Sequence, residues 1–148
     1  MKLFSLMMLF SANAFALNCP FTEQNNQYSQ TVAICENVTT GQVACLAKYT
    51  KSGNYIVEVS GGDIRGDYRT SFGQKAIKKD NAKRLKLKYK TFGLGIIGYQ
   101  NFQFELNKKN KTAKFKYKTI GCGISIINDG PDPYCPKNID IKFTECQL

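Results

Sequence analysis

The chain has 148 residues, with 21 basic against 11 acidic side chains, six cysteines, no histidine and no tryptophan. Without histidine the commonest general base, proton shuttle and zinc ligand is missing, so Ser-His-Asp, Cys-His and His-metal chemistries are excluded within this chain. Its length suits a single domain, and the surplus of positive charge points to anionic partners or to a solvated face.

At the amino terminus, Lys2, the run 3–10 (LFSLMMLF) and the small residues Ala14 and Ala16 reproduce the three parts of a secretory signal peptide. Cleavage is expected after Ala16, leaving 1–16 as the signal peptide and 17–148 as one secreted or periplasmic domain. A membrane-crossing helix needs roughly 20 apolar residues. The run is too short for that, and no transmembrane segment is expected after cleavage.

Cys19, Cys35, Cys45, Cys122, Cys135 and Cys146 all follow the expected cut. An even number of cysteines in an exported chain reads as disulfides. Zinc is disfavoured because no C-x-x-C pair exists and no histidine could complete a site. Proximity along the chain predicts Cys35 with Cys45, Cys122 with Cys135, and Cys19 with Cys146 joining the ends.

Taken in order, 21–34 is a stretch where a helical turn is plausible, and 55–59 (YIVEV) alternates as a strand before the Gly61, Gly62 turn cluster. A second helical turn is plausible within 74–83. Residues 84–90 (RLKLKYK) then alternate without a fault, and 101–106 (NFQFEL) and 113–118 (AKFKYK) form an expected hairpin through 107–111. Residues 139–143 (IDIKF) are a last short strand. Many short strands with Gly, Asn and Pro between them predict an all-β fold: a disulfide-stapled antiparallel β-sandwich or small barrel, with Gly-kinked strands.

Sliding the chain by 28 residues exposes a repeat. Residues 86–96 (KLKYKTFGLGI) match 114–124 (KFKYKTIGCGI) at eight of eleven positions. Each copy is expected to form a basic strand, bend at its G-x-G and return as a hairpin, a duplicated unit.

Charge is concentrated in the same region: 75–118 holds fourteen basic against two acidic residues, whereas 17–74 holds four against five and 119–148 two against four. Side chains in a strand point alternately to opposite faces. Arg84, Lys86, Lys88 and Lys90 therefore share one face, as do Lys114, Lys116 and Lys118, with Leu85, Leu87, Tyr89, Phe115 and Tyr117 turned the other way. If the two copies lie in one sheet, these seven cations line one anion-binding surface. Its expected partners are an anionic polysaccharide, lipopolysaccharide or an anionic lipid surface; the competing account is a face that only keeps the protein soluble and blunts sheet edges. Sequence-specific nucleic acid is disfavoured because the rings that would stack on bases are directed away from the lysines.

The remaining signals are weaker. Arg65, Gly66 and Asp67 spell a tripeptide used by some integrin ligands, but a turn accounts for them. Asp63 with Asp67 and Asp129 with Asp132 are imaginable acid/base pairs that spacing on loops does not certify. Asn37 and Asn110 open N-x-T triplets. The sequence thus predicts a non-catalytic binding protein without a cofactor. The alternatives are a β-sandwich or barrel holding an apolar ligand between its sheets, and an inhibitor of an exported hydrolase acting through the 130–134 loop.

Overall fold

The structure, a computed structural model, describes Cys19 and residues 29–62, 68–92, 99–120 and 138–148. Ten strands run through them: β1 (Ser29–Asn37), β2 (Gln42–Tyr49), β3 (Tyr55–Ser60), β4 (Tyr68–Phe72), β5 (Ile77–Asp80), β6 (Arg84–Phe92), β7 (Tyr99–Asn107), β8 (Thr112–Ile120), β9 (Ile139–Phe143) and β10 (Glu145–Gln147). They form two five-stranded antiparallel sheets, ordered β10-β1-β2-β3-β4 and β5-β6-β7-β8-β9. The fold is therefore the disulfide-stapled β-sandwich anticipated from alternation.

The chain changes sheet twice. A 3-10 turn at Gln74–Ala76 carries it from β4 to β5. Thr144 alone separates β9 from β10, and its amide donates to the Glu36 carbonyl (2.9 Å) while its hydroxyl accepts from the Val38 amide (3.4 Å). The Asn37 side chain donates to the Lys142 carbonyl at 2.8 Å, so the corner is tied from both sheets.

Between the sheets, Leu46, Val57, Val59 and Phe72 meet Leu85, Leu87, Phe104, Leu106, Phe115 and Phe143, all buried. Removing each such side chain from water contributes roughly 1.5–3 kcal/mol. Toward one end the core becomes aromatic: Phe72 packs edge-on to Tyr89 (ring centroids 5.2 Å apart), Tyr89 stacks on Phe102 (5.0 Å), and Phe102 leans on Tyr117 (4.8 Å).

One sequence expectation about helical turns is corrected here and the other is met. Within 21–34, residues 29–34 belong to strand β1, and 21–28 lie outside the described residues. The first sheet is apolar on both sides, since Cys19, Cys45, Ala47 and Ile56 form a second cluster on its outer face with Ile34 and Tyr49 packed against them. A bulge between Thr31 and Ala33 breaks the alternation further. Within 74–83 the helical turn lasts three residues before β5 begins.

The disulfides are also different. Cys35 bonds Cys146 and Cys19 bonds Cys45. Cys35 stands opposite Ala44 on β2, while Cys45 stands opposite Ile34, so the two thiols project to opposite faces of the sheet and cannot meet. Cys146 lies directly across from Cys35 on β10, and the outward Cys45 is left for Cys19. Cys122 and Cys135 lie outside the described residues, as do 1–16, both G-x-G segments, Asp63, Arg65 to Asp67, Asp129, Asp132 and the 130–134 loop.

Candidate functional site: the outer face of the second sheet

Strands β6, β7 and β8 are neighbours, and across 84–90, 101–107 and 113–118 inner side chains alternate with exposed or half-buried outer ones. Leu85, Leu87, Phe104, Leu106, Phe115 and Tyr117 go into the core. Arg84, Lys86, Lys88, Lys90, Lys114, Lys116 and Lys118 emerge on the other side, all seven on one outer face.

The repeat explains their arrangement. Because β6 and β8 are each antiparallel to β7, they run parallel to one another. Lys86 and Lys114 both stand opposite Glu105, Lys88 and Lys116 opposite Gln103, and Lys90 and Lys118 opposite Asn101. Equivalent positions of the two copies are therefore level across β7. With neighbouring strands about 4.8 Å apart, the lysine rows are separated by about 10 Å, and successive cations along a row by about 7 Å. Between the rows runs a lane of Asn101, Gln103, Glu105 and Asn107.

Carboxylates neutralise only part of this surface. Glu105 approaches Lys86 (3.7 Å) and Arg84 (3.9 Å), and Asp140 on β9 pairs with Lys116 (3.4 Å). Such exposed pairs contribute about 0–1 kcal/mol each and yield readily to a competing anion. Lys88, Lys114 and Lys118 have no ion-pairing carboxylate among the described residues.

The face also holds residues that the charge pattern did not single out. Lys142 on β9 stands beside Lys114; the alternation of 139–143 is the signal that could have put Asp140 and Lys142 on one face. Lys78, by contrast, follows the irregular register between Ile77 and Lys79, which no sequence period reveals. Two open depressions mark the ends of the lane. One of about 480 Å³ is lined by Arg84, Glu105, Asn107, Thr112, Lys114 and Lys142 among others, and one of about 470 Å³ by Lys78, Lys88, Tyr89, Lys90 and Asn101. The second has no carboxylate among its described lining residues.

Not every lysine of the basic block belongs to this face. Lys108 pairs with Asp80 (3.2 Å) and donates to the Asn81 carbonyl (2.8 Å), which makes it part of the scaffold. The Asn37 carboxamide is likewise committed, since its oxygen accepts from the amides of Thr39 and Thr40.

No group of three or more Cys, Asp or Glu side chains placed to hold a metal ion occurs among the described residues, and no helix there is long and apolar enough to cross a membrane. Comparison with protein-family models, with curated proteins and with solved structures yields no match to this chain.

Proposed function

We propose that this chain is an exported, non-catalytic protein that binds anionic polymers through the outer face of its second sheet. One observation carries the reading: six lysines from two copies of a repeated strand stand level in three pairs across β7, with Arg84 on the same face and, among the described residues, Glu105 and Asp140 as the carboxylates that the salt bridges of this face use. A basic surplus serving solubility alone has no need of such registration. Export is supported by the signal-like run at 1–16 and by two disulfides, which persist in oxidising compartments. The inner faces favour this reading over an apolar ligand, because their rings and aliphatic chains pack on one another.

Retention on an immobilised polyanion such as heparin tests the proposal. With about five net charges engaged, affinity should fall roughly 10²–10³-fold between 50 and 200 mM salt. The variant carrying Lys88→Ala, Lys90→Ala, Lys116→Ala and Lys118→Ala should pass through unretained. Passage of the unaltered protein at low salt would overturn the proposal.

A further inference from the structure

The lysine rows account for attraction to negative charge, yet the lane between them has a different chemistry. We infer that the polymer is an acidic polysaccharide, sulfated or uronic, laid along β7 with its acid groups on the flanking lysines and its hydroxyls on Asn101, Gln103 and Glu105. This rests on the polyanion-binding reading above and narrows it to one ligand class.

Three features separate this ligand from other polyanions. First, the lane supplies acceptors as well as donors. Carboxamides offer both, and a carboxylate only accepts. Phosphate and sulfate oxygens at neutral pH offer acceptors alone, so an unbroken phosphate chain would leave the lane's acceptors idle and would be repelled by Glu105. Sugar hydroxyls donate and accept. Asn101 Oδ1 is shielded from water and has no hydrogen-bond partner among the described residues, an unfavourable condition that a hydroxyl donor from the ligand would relieve.

Second, among the residues whose side chains are described, the face has no apolar anchor of the kind that settles a protein into a headgroup layer. The large hydrophobic side chains exposed among the described residues are Val38, in the turn after β1, and Leu148, after β10. Neither belongs to the lysine sheet. Third, the described rings of these strands, Tyr89, Phe102 and Tyr117 among them, pack together in the core and are turned away from nucleic-acid bases.

The dimensions agree with an extended chain. From Arg84 to Lys90 the face spans about 20 Å at roughly 3.4 Å per residue, with a depression at either end that contains three cations: Arg84, Lys114 and Lys142 in one, Lys78, Lys88 and Lys90 in the other.

Calorimetric titration of the full chain tests this with four probes at one salt concentration: a heparin oligosaccharide, polygalacturonate, polyphosphate, and vesicles of anionic phospholipid. The double variant Asn101→Ala, Gln103→Ala should weaken heparin and polygalacturonate about tenfold or more while leaving polyphosphate within about twofold, with an unchanged thermal melt. Gln103→Ala alone, at an outward position, provides the same contrast at smaller amplitude should the double variant melt early. Lys88→Ala with Lys118→Ala should weaken every probe. Equal loss for all probes in the lane variants, no loss for any, or binding of polyphosphate or vesicles as tight as the polysaccharides would overturn the polysaccharide inference and leave polyanion binding standing. No binding of any probe at low salt would overturn both.

Discussion

The hydroxyl of Tyr55 on β3 donates a 2.6 Å hydrogen bond to Oδ2 of Asp80 on β5, joining the two sheets through one short polar contact. Lys48 lies 5.1 Å from the centre of the Tyr55 ring, and Lys108 holds the other carboxylate oxygen of Asp80. Burial on its own would raise the Asp80 carboxyl, but the bonds from Tyr55 and Lys108 outweigh it and hold the group below its ordinary range. Burial, then the bond to Asp80, pushes the Tyr55 phenol well above its ordinary value.

The latch gives stability two pH limits. For Asp80 the folded value lies below the unfolded one, so its contribution is present above about pH 4 and is lost as pH falls through the folded value. For Tyr55 the folded value is higher, so its contribution is present below about pH 10 and declines as pH rises beyond it. Urea melts between pH 2 and 11 should show both limbs. Tyr55→Phe should cost about 1–3 kcal/mol at neutral pH and flatten the alkaline limb; an unaltered alkaline limb in that variant would refute the assignment.

The two disulfides should differ in weight. Cys35–Cys146 closes a separation of 111 residues and Cys19–Cys45 one of 26. Loop-closure entropy then assigns roughly 5 and 3.5 kcal/mol respectively. Paired Cys→Ala variants compared by denaturant melts check the order, and non-reducing peptide maps check the pairing. Recovery of a Cys35–Cys45 peptide would contradict the structure.

Turn chemistry makes a third prediction. The β1–β2 turn ends at Gly41 with φ of 72°, and the β7–β8 turn ends at Lys111 with φ of 52°. Left-handed backbone costs an L-residue about 1–2 kcal/mol that glycine avoids. Part of the gain is offset by glycine's greater freedom when unfolded. Lys111→Gly should therefore stabilise by up to about 1 kcal/mol, and Gly41→Ala should destabilise by about as much. Melts showing the reverse signs would exclude these conformations.

On the lysine face, Glu105→Gln removes the carboxylate that approaches Arg84 and Lys86. Exposed pairs of this kind contribute about 0–1 kcal/mol, so stability should change little, while polyphosphate affinity at low salt should rise several-fold. Replacing Lys88 and Lys118 with Glu should abolish polyphosphate binding and shift stability by less than about 0.5 kcal/mol. A large stability loss in the latter variant would mean that these ammonium groups are structural.

Much of the second sheet was legible before any coordinates. With one face in the core and the other in water, β6, β7, β8 and β9 carry a clean period of two, and the alternation of 84–90 and 113–118 alone separates Lys88 and Lys116 from Leu87 and Phe115. The first sheet was not legible in the same way. Apolar clusters cover both of its sides, so β1 and β2 lack the alternation that marks a strand, and residues 29–34 passed for part of a helical turn.

Local periodicity thus decided which side chains share a face, because that depends only on the pleat of a single strand. It could not decide which strands become neighbours. That Lys86, Lys88 and Lys90 come level with Lys114, Lys116 and Lys118 across β7, and that Cys35 meets Cys146 rather than Cys45, follows from hydrogen-bonded register between segments far apart in the chain. Such register is set by how two sheets close over one core.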